Sequence, residues 1–202
     1  MAVINRTPDS FFDRGVTREF GPALDAASRA VADGADIVDI GGVKAGPGDE
    51  VTPAVEIDRV AGLVAAVRAR HPDVVISVDT WRAEVAEVVA QAGADLLNDA
   101  WGGADPRLAQ VAARYGTGLV CSHAGGLPPR TRPHRPAYGD VVREVTGYVT
   151  EYAERAVQSG VPSARVLVDP AHDFGKNTGQ SLEVGGIKAF AIMECSVRTR
   201  RT

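Results

Sequence analysis

Six short apolar runs in this sequence each end in a residue able to hydrogen-bond or to bind a metal: Asn5, Asp39, Asp79, Asn98 with Asp99, Ser122 with His123, and Asp169. Asp79 leaves Ile76-Ser77-Val78 and Asp169 leaves Leu167-Val168, so both carboxylates emerge from apolar surroundings. A buried carboxylate is costly unless it is paired or hydrogen-bonded. Two carboxylates and an amide converging on one opening would suit a flat heterocycle rich in N–H donors. Taken singly, an Asp or Asn after a strand also caps the next helix or starts a turn. His123 reads equally as a functional side chain or as a histidine hydrogen-bonded at the rim.

The elements that must position these residues follow a repeat of amphipathic helix, glycine, short apolar strand and polar residue. Asp33-Gly34-Ala35-Asp36 leads into Ile37-Val38-Asp39-Ile40, and Ala92-Gly93-Ala94-Asp95 into Leu96-Leu97-Asn98-Asp99. Gly116 and Gly160 stand in similar places, where a left-handed helix end would strain a side chain. The predicted strands are 2–5, 37–40, 74–78, 96–98, 118–121 and 166–168. Helical spacing recurs in Ile57, Val60, Leu63, Val64 and Val67, in Val85, Val88, Val89 and Ala92, and in Val142, Val145, Val149 and Tyr152. Strands alternating with helices predict a parallel α/β sheet, either open and doubly wound or closed as a (β/α)8 barrel. No GxGxxG follows the first strand, which argues against a dinucleotide-binding sheet. In a barrel the strand ends meet at one mouth. The Pro-rich stretch 128–136 reads as a loop within the domain.

Composition excludes several function classes. The chain has 202 residues, 45% hydrophobic and 24% charged, with a formal net charge of -4, so no broad basic surface for nucleic acid is implied. Arg198, Arg200 and Arg201 read as a solvated tail. Cys121 and Cys195 have no metal-ligand spacing, and Cys121 reads as a small buried side chain. With no leader pattern and no membrane-length apolar run, the expected location is the cytoplasm.

Asn5-Arg6-Thr7-Pro8-Asp9-Ser10-Phe11 resembles the N-x-T-P-D-S-F signature of dihydropteroate synthases, and Asp36–Gly42, reading DIVDIGG, resembles that family's second signature. Ser77-Val78-Asp79-Thr80, Asn98-Asp99 and Asp169-Pro170 with Phe174-Gly175-Lys176 follow in family order. The resemblance implies a pterin-binding TIM (β/α)8 barrel with about six βα units recognisable over 1–184, followed by a non-matching stretch, 185–202. It implies a transferase that joins 4-aminobenzoate to 6-hydroxymethyl-7,8-dihydropterin pyrophosphate, giving 7,8-dihydropteroate and pyrophosphate in folate biosynthesis. By position, Asp79, Asn98 and Asp169 would hold the pterin, Arg6 and Lys44 would serve the pyrophosphate and its loop, and Asn5 would help hold Mg2+. The family is commonly dimeric.

Three stretches depart from the family pattern. Gly41-Gly42-Val43-Lys44-Ala45-Gly46-Pro47-Gly48 stands where G-G-E-S-T-R-P-G is usual, which bears on the second substrate; Lys44 is a replacement cation or an exposed loop lysine. Asp169–Lys176 reads DPAHDFGK in place of DPGxGFGK, so Ala171 is strained if its φ is positive, while Asp173 tolerates it better. Lys176 is expected in solvent. After Val184 the seventh and eighth strands are not recognisable, although Ile187–Ile192 has strand character. The expectation is therefore an incomplete barrel of low stability, because open edges and an exposed interior weaken a barrel. Alternative functions are a catalytically inactive pterin-binding relative, a methyltetrahydrofolate-dependent methyltransferase, and a fragment without ligand.

Overall fold

The computed structural model describes residues 1–7, 19–126, 128–130, 137–172 and 174–185. Six parallel strands, β1 (Ala2–Asn5), β2 (Ile37–Gly41), β3 (Val75–Asp79), β4 (Leu96–Asp99), β5 (Gly118–Ser122) and β6 (Val166–Asp169), alternate with helices α1 (Phe20–Ala32), α2 (Pro53–Arg70), α3 (Ala83–Gln91), α4 (Leu108–Tyr115), α5 (Val141–Gln158) and α6 (Thr178–Val184). Helix starts carry their own fasteners. Thr52 caps α2 ahead of Pro53, Asp140 accepts from the Arg143 N–H at 3.0 Å, and Asn177 with Gln180 forms a reciprocal capping box, both bonds 2.9 Å. Gly34 and Gly93, with φ of +93° and +108°, turn the chain from helix to strand where a Cβ would be strained.

The strands lie in the order β1-β2-β3-β4-β5-β6. A doubly wound sheet reverses its order and carries helices on both faces. Consecutive order with the helices gathered on one face is the winding of a (β/α) barrel, and six of its units are described. Ile4, Val38, Ile40, Ile76, Val78, Leu97, Leu119 and Cys121 are buried on that outer face against Leu24, Val60, Leu63, Val64, Val67, Val85, Val89 and Leu108 of the helices. Burying each such side chain contributes roughly 1.5–3 kcal/mol, so this layer carries most of the stability. Cys121 belongs to it, and burial pushes its thiol up to about 12.

Alternation along each strand gives the other face to Val3 and Asn5, Asp39 and Gly41, Ser77 and Asp79, Leu96 and Asn98, Val120 and Ser122, and Leu167 and Asp169. This inner face is polar toward the C-terminal strand ends and apolar below, where Val3, Val75 and Leu167 remain exposed. Among the described residues β1 and β6 each have one strand neighbour. Residues 8–11 of the first motif, Asp173, most of the 128–136 loop and the candidate strand 187–192 lie outside the described residues. So does nearly all of the 185–202 stretch.

Candidate functional site at the strand ends

The site is built around a missing side chain. A Cβ on Gly41 would lie 2.7 Å from Asn5 Oδ1 and 3.9 Å from the Asp79 Cβ. Gly41 sits between Asn5 on β1 and Asp79 on β3, and its bare backbone leaves room for the Asn5 side chain over β2. One layer deeper Asp39 is buried. It accepts from Ser77 Oγ at 2.5 Å and from Asn98 Nδ2 at 3.4 Å to each carboxylate oxygen. Asp79 lies directly beside Asn98. Further round, Ser122 lies beside Asp169, whose Oδ1 accepts from the Ala171 N–H at 2.8 Å. Ser122 Oγ is buried with no hydrogen-bond partner among the described residues. A buried hydroxyl left unpaired is costly.

Burial raises both central carboxyls. Asp79 is pushed well above the usual carboxylate range, first by burial and then by the nearby Asp39, Glu56 and Asp99 carboxylates. Asp39 is also raised by burial, against the pull of its Ser77 and Asn98 hydrogen bonds. Neighbouring carboxylates in a buried layer each disfavour the other's ionisation, which adds to the effect of burial.

Of the sequence-predicted site residues, Asn5, Asp79, Asn98 and Asp169 come together on the inner face. Arg6 follows β1. Its guanidinium donates to the Arg59 carbonyl of α2 at 2.5 Å and lies over the Phe20 ring. Lys44 sits half-buried on the loop after β2.

Two readings need correction, and His123 takes the second of its two readings. Asp99, grouped with the mouth, faces outward, where it accepts from the N–H groups of Trp101 and Gly103 at 2.9 and 2.6 Å and from the Tyr152 hydroxyl of α5 at 2.6 Å. It ties the β4–α4 loop to α5. His123 is structural: it is buried edge-on to Tyr148 of α5, and its backbone N–H donates to the Asp169 carbonyl. Lys176 is not in solvent. Its Nζ is buried 3.0 Å from His123 Nδ1 and donates to the Ala171 and Phe174 carbonyls, each at 2.9 Å. Burial, ahead of repulsion from Lys176, lowers His123 to about 4, and burial lowers Lys176 to about 8. Ala171 does take positive φ, at 50°.

Sequence reasoning missed two groups. Glu56 is fully buried and pairs with Arg82 at 2.5 Å; Arg82 also donates to the Val51 carbonyl at 2.7 Å, and Arg59 to the Gly42 carbonyl at 2.8 Å. These contacts anchor both ends of the loop that carries Lys44. The signal was present: Glu56 lies four residues before Val60, on the buried stripe of α2. Trp81, Trp101 and Phe174, on loops after β3, β4 and β6, meet edge to face with centroids 6.2 and 4.9 Å apart. They form an aromatic wall beside the polar strand ends.

A (β/α) barrel architecture, six of its units described, with hydrogen-bond acceptors converging at the C-terminal strand ends, is one on which small-molecule sites are commonly built. The chain belongs to the family described as pterin binding enzyme, whose model matches residues 1–198. It is 56% identical over 186 residues to the inactive dihydropteroate synthase 2 of Mycobacterium tuberculosis, covering 90% of this chain and 58% of that relative. The chain thus spans little more than half the length of that protein. Among solved structures it is similar to the Yersinia pestis dihydropteroate synthase with a sulfonamide drug complex, at TM-score 0.83 and 35% identity, covering 91% of this chain and 66% of that one. It is also similar to the Xanthomonas albilineans dihydropteroate synthase with 4-aminobenzoic acid, at TM-score 0.80 and 32% identity, covering 91% and 65%. Among the described residues no helix is long and apolar enough to cross a membrane.

Proposed function

We propose that this chain binds the pterin ring of 6-hydroxymethyl-7,8-dihydropterin pyrophosphate at its strand ends, as a dihydropteroate synthase-like protein of cytoplasmic folate biosynthesis. The observation that carries the reading is the single-face set of acceptors, Asp79, Asn98 and Asp169, on three strands. A pterin offers ring N–H and amino donors along one edge, which this set matches. Arg6 and Lys44 stand on the loops after β1 and β2, on the side where a pyrophosphate would extend.

Among the described residues no group of three acidic, His or Cys side chains gathers to cage a metal. Asn5 alone suits Mg2+ that arrives on pyrophosphate, since Mg2+ keeps waters and phosphate oxygens and takes few protein ligands. Such an ion would stabilise the leaving pyrophosphate. In the condensation, the amine nitrogen of 4-aminobenzoate bonds to the exocyclic methylene carbon while the carbon–oxygen bond to pyrophosphate breaks. Pyrophosphate leaves with the electron pair, and the amine loses a proton.

A second reading, pterin binding without turnover, is favoured by the 56% identity to a relative named inactive, against 35% to the Yersinia pestis synthase. Calorimetric titration with the dihydropterin pyrophosphate and Mg2+ tests the shared step: saturable binding is expected, and its absence in a folded chain would overturn both readings. A turnover assay with 4-aminobenzoate then separates them.

A further inference from the structure

Asn98 makes a useful acceptor only if its amide is turned the right way, and the structure contains a device that turns it. The side-chain Nδ2 faces the buried Asp39 carboxylate, 3.4 Å from both oxygens. The opposite orientation would set the amide oxygen against two carboxylate oxygens, acceptor against acceptor, in a buried layer where that repulsion is weakly screened. Asp39 is itself held by Ser77 Oγ at 2.5 Å, from the strand between them. Three adjacent strands thus form a chain of donors, Ser77 and Asn98 both giving to Asp39.

We infer that Asp39 is a positioning residue: it fixes the Asn98 amide with its oxygen toward the opening, so that position 98 reads a donor on the ligand. This rests on the pterin-binding reading above and deepens it. It explains why a carboxylate is held at a buried position. It also assigns each polar group a sense. Asp79, Asn98 Oδ1 and Asp169 accept, and a ligand lacking consecutive N–H donors is disfavoured, because it would take water from these half-buried groups without replacing its hydrogen bonds.

Isosteric exchange tests the inference. Asp39→Asn keeps the shape and the Ser77 bond, but its new amide donates toward position 98 and turns Asn98 so that Nδ2 faces the opening. Affinity for 6-hydroxymethyl-7,8-dihydropterin pyrophosphate is expected to fall about 100-fold, the scale of a lost hydrogen bond to a buried site. Adding Asn98→Asp makes position 98 an acceptor again, so the double variant D39N/N98D should recover to within about threefold of wild type. A purely structural role for Asp39 would give no such rescue. A ligand-free measurement on the wild-type chain stands beside this. The Asn98 side-chain N–H protons should exchange slowly with solvent, as followed by NMR, and stay slow when ligand binds, because they face Asp39. Fast exchange in the wild type, or wild-type affinity in D39N, overturns the positioning role alone. Absence of saturable binding in the wild type overturns the pterin reading on which it rests.

Discussion

Asn98 and Asp99 are consecutive residues of one strand, yet they belong to different structures. Asn98 faces inward beside Asp79, with one side of its amide held by Asp39. Asp99 faces the helices, and both its oxygens are consumed by Trp101, Gly103 and Tyr152. The same division separates Ser122 from His123 one strand later. The inner hydroxyl has no hydrogen-bond partner among the described residues, whereas the outer imidazole is packed on Tyr148 and bonded by Lys176. Polarity at a strand end therefore does not by itself mark a ligand site. What marks it is unspent hydrogen-bonding capacity on the face that no helix covers.

The largest expected effect lies on the outer face. Asp99→Ala removes the acceptor of three donors at once, two of them buried, and each buried donor left unpaired costs about 1–3 kcal/mol. A loss of about 3–5 kcal/mol in urea-unfolding stability is expected, comparable to breaking a buried charge network. A loss below about 1 kcal/mol would mean that Asp99 does not fasten the loop, and would erase the contrast with its neighbour.

His123 sharpens the comparison through pH. Its folded pKa is depressed to about 4, chiefly by burial and then by Lys176, while nearby Glu144 pulls the other way. Between pH 6.5 and 4 the unfolded chain takes up a proton that the native imidazole refuses. This residue's contribution is thus fully present above about 6.5 and is lost as pH falls to about 4, totalling about 3 kcal/mol. Urea midpoints of wild type and His123→Asn should converge over that window as the wild type loses this advantage. Parallel profiles would show that His123 is exposed to solvent after all.

On the inner face the sign of the stability effect reverses. Asp79→Asn replaces a carboxyl raised by burial and by three neighbouring carboxylates, so the urea midpoint is expected to stay level or rise. Ligand affinity should fall about 100-fold, since a charged hydrogen bond contributes about 1.5–3 kcal/mol. If D79N instead unfolds the chain and leaves affinity per folded molecule intact, the two faces exchange roles.

How much of this was legible follows from what each side chain meets. The six strands were readable because buried parallel strands are apolar on both faces and follow helix-ending glycines; the structure extends β2 by Gly41 and β3, β4, β5 and β6 by one polar residue each at the C-terminal end, and starts β3 one residue later. Asn5, Asp79, Asn98 and Asp169 were readable as strand-terminal polar residues. Where two polar residues followed each other, as at 98–99 and 122–123, sequence alone did not say which faced inward. Only pairing with Asp79 and Asp169 decides that. Lys176 looked like a loop lysine because the partner that buries it, His123, lies 53 residues away. The aromatic wall escaped notice because its three rings come from three separate loops.

The smallest effect tests the segment where the two faces join. Asp169 belongs to the inner set, and Lys176 to the outer. Ala171 links them, giving its N–H to Asp169 Oδ1 and its carbonyl to Lys176 Nζ. Both bonds are made with φ at 50°, a left-handed conformation that crowds a Cβ by about 1–2 kcal/mol. Glycine relieves that crowding but leaves the unfolded chain freer, which returns about half of the gain. Ala171→Gly should therefore stabilise the chain by up to about 1 kcal/mol without altering either hydrogen bond. Calorimetric melting would register it as a rise of a few degrees. A fall in stability would mean that residue 171 adopts ordinary negative φ, and the link between Asp169 and Lys176 would then have to run through another backbone path.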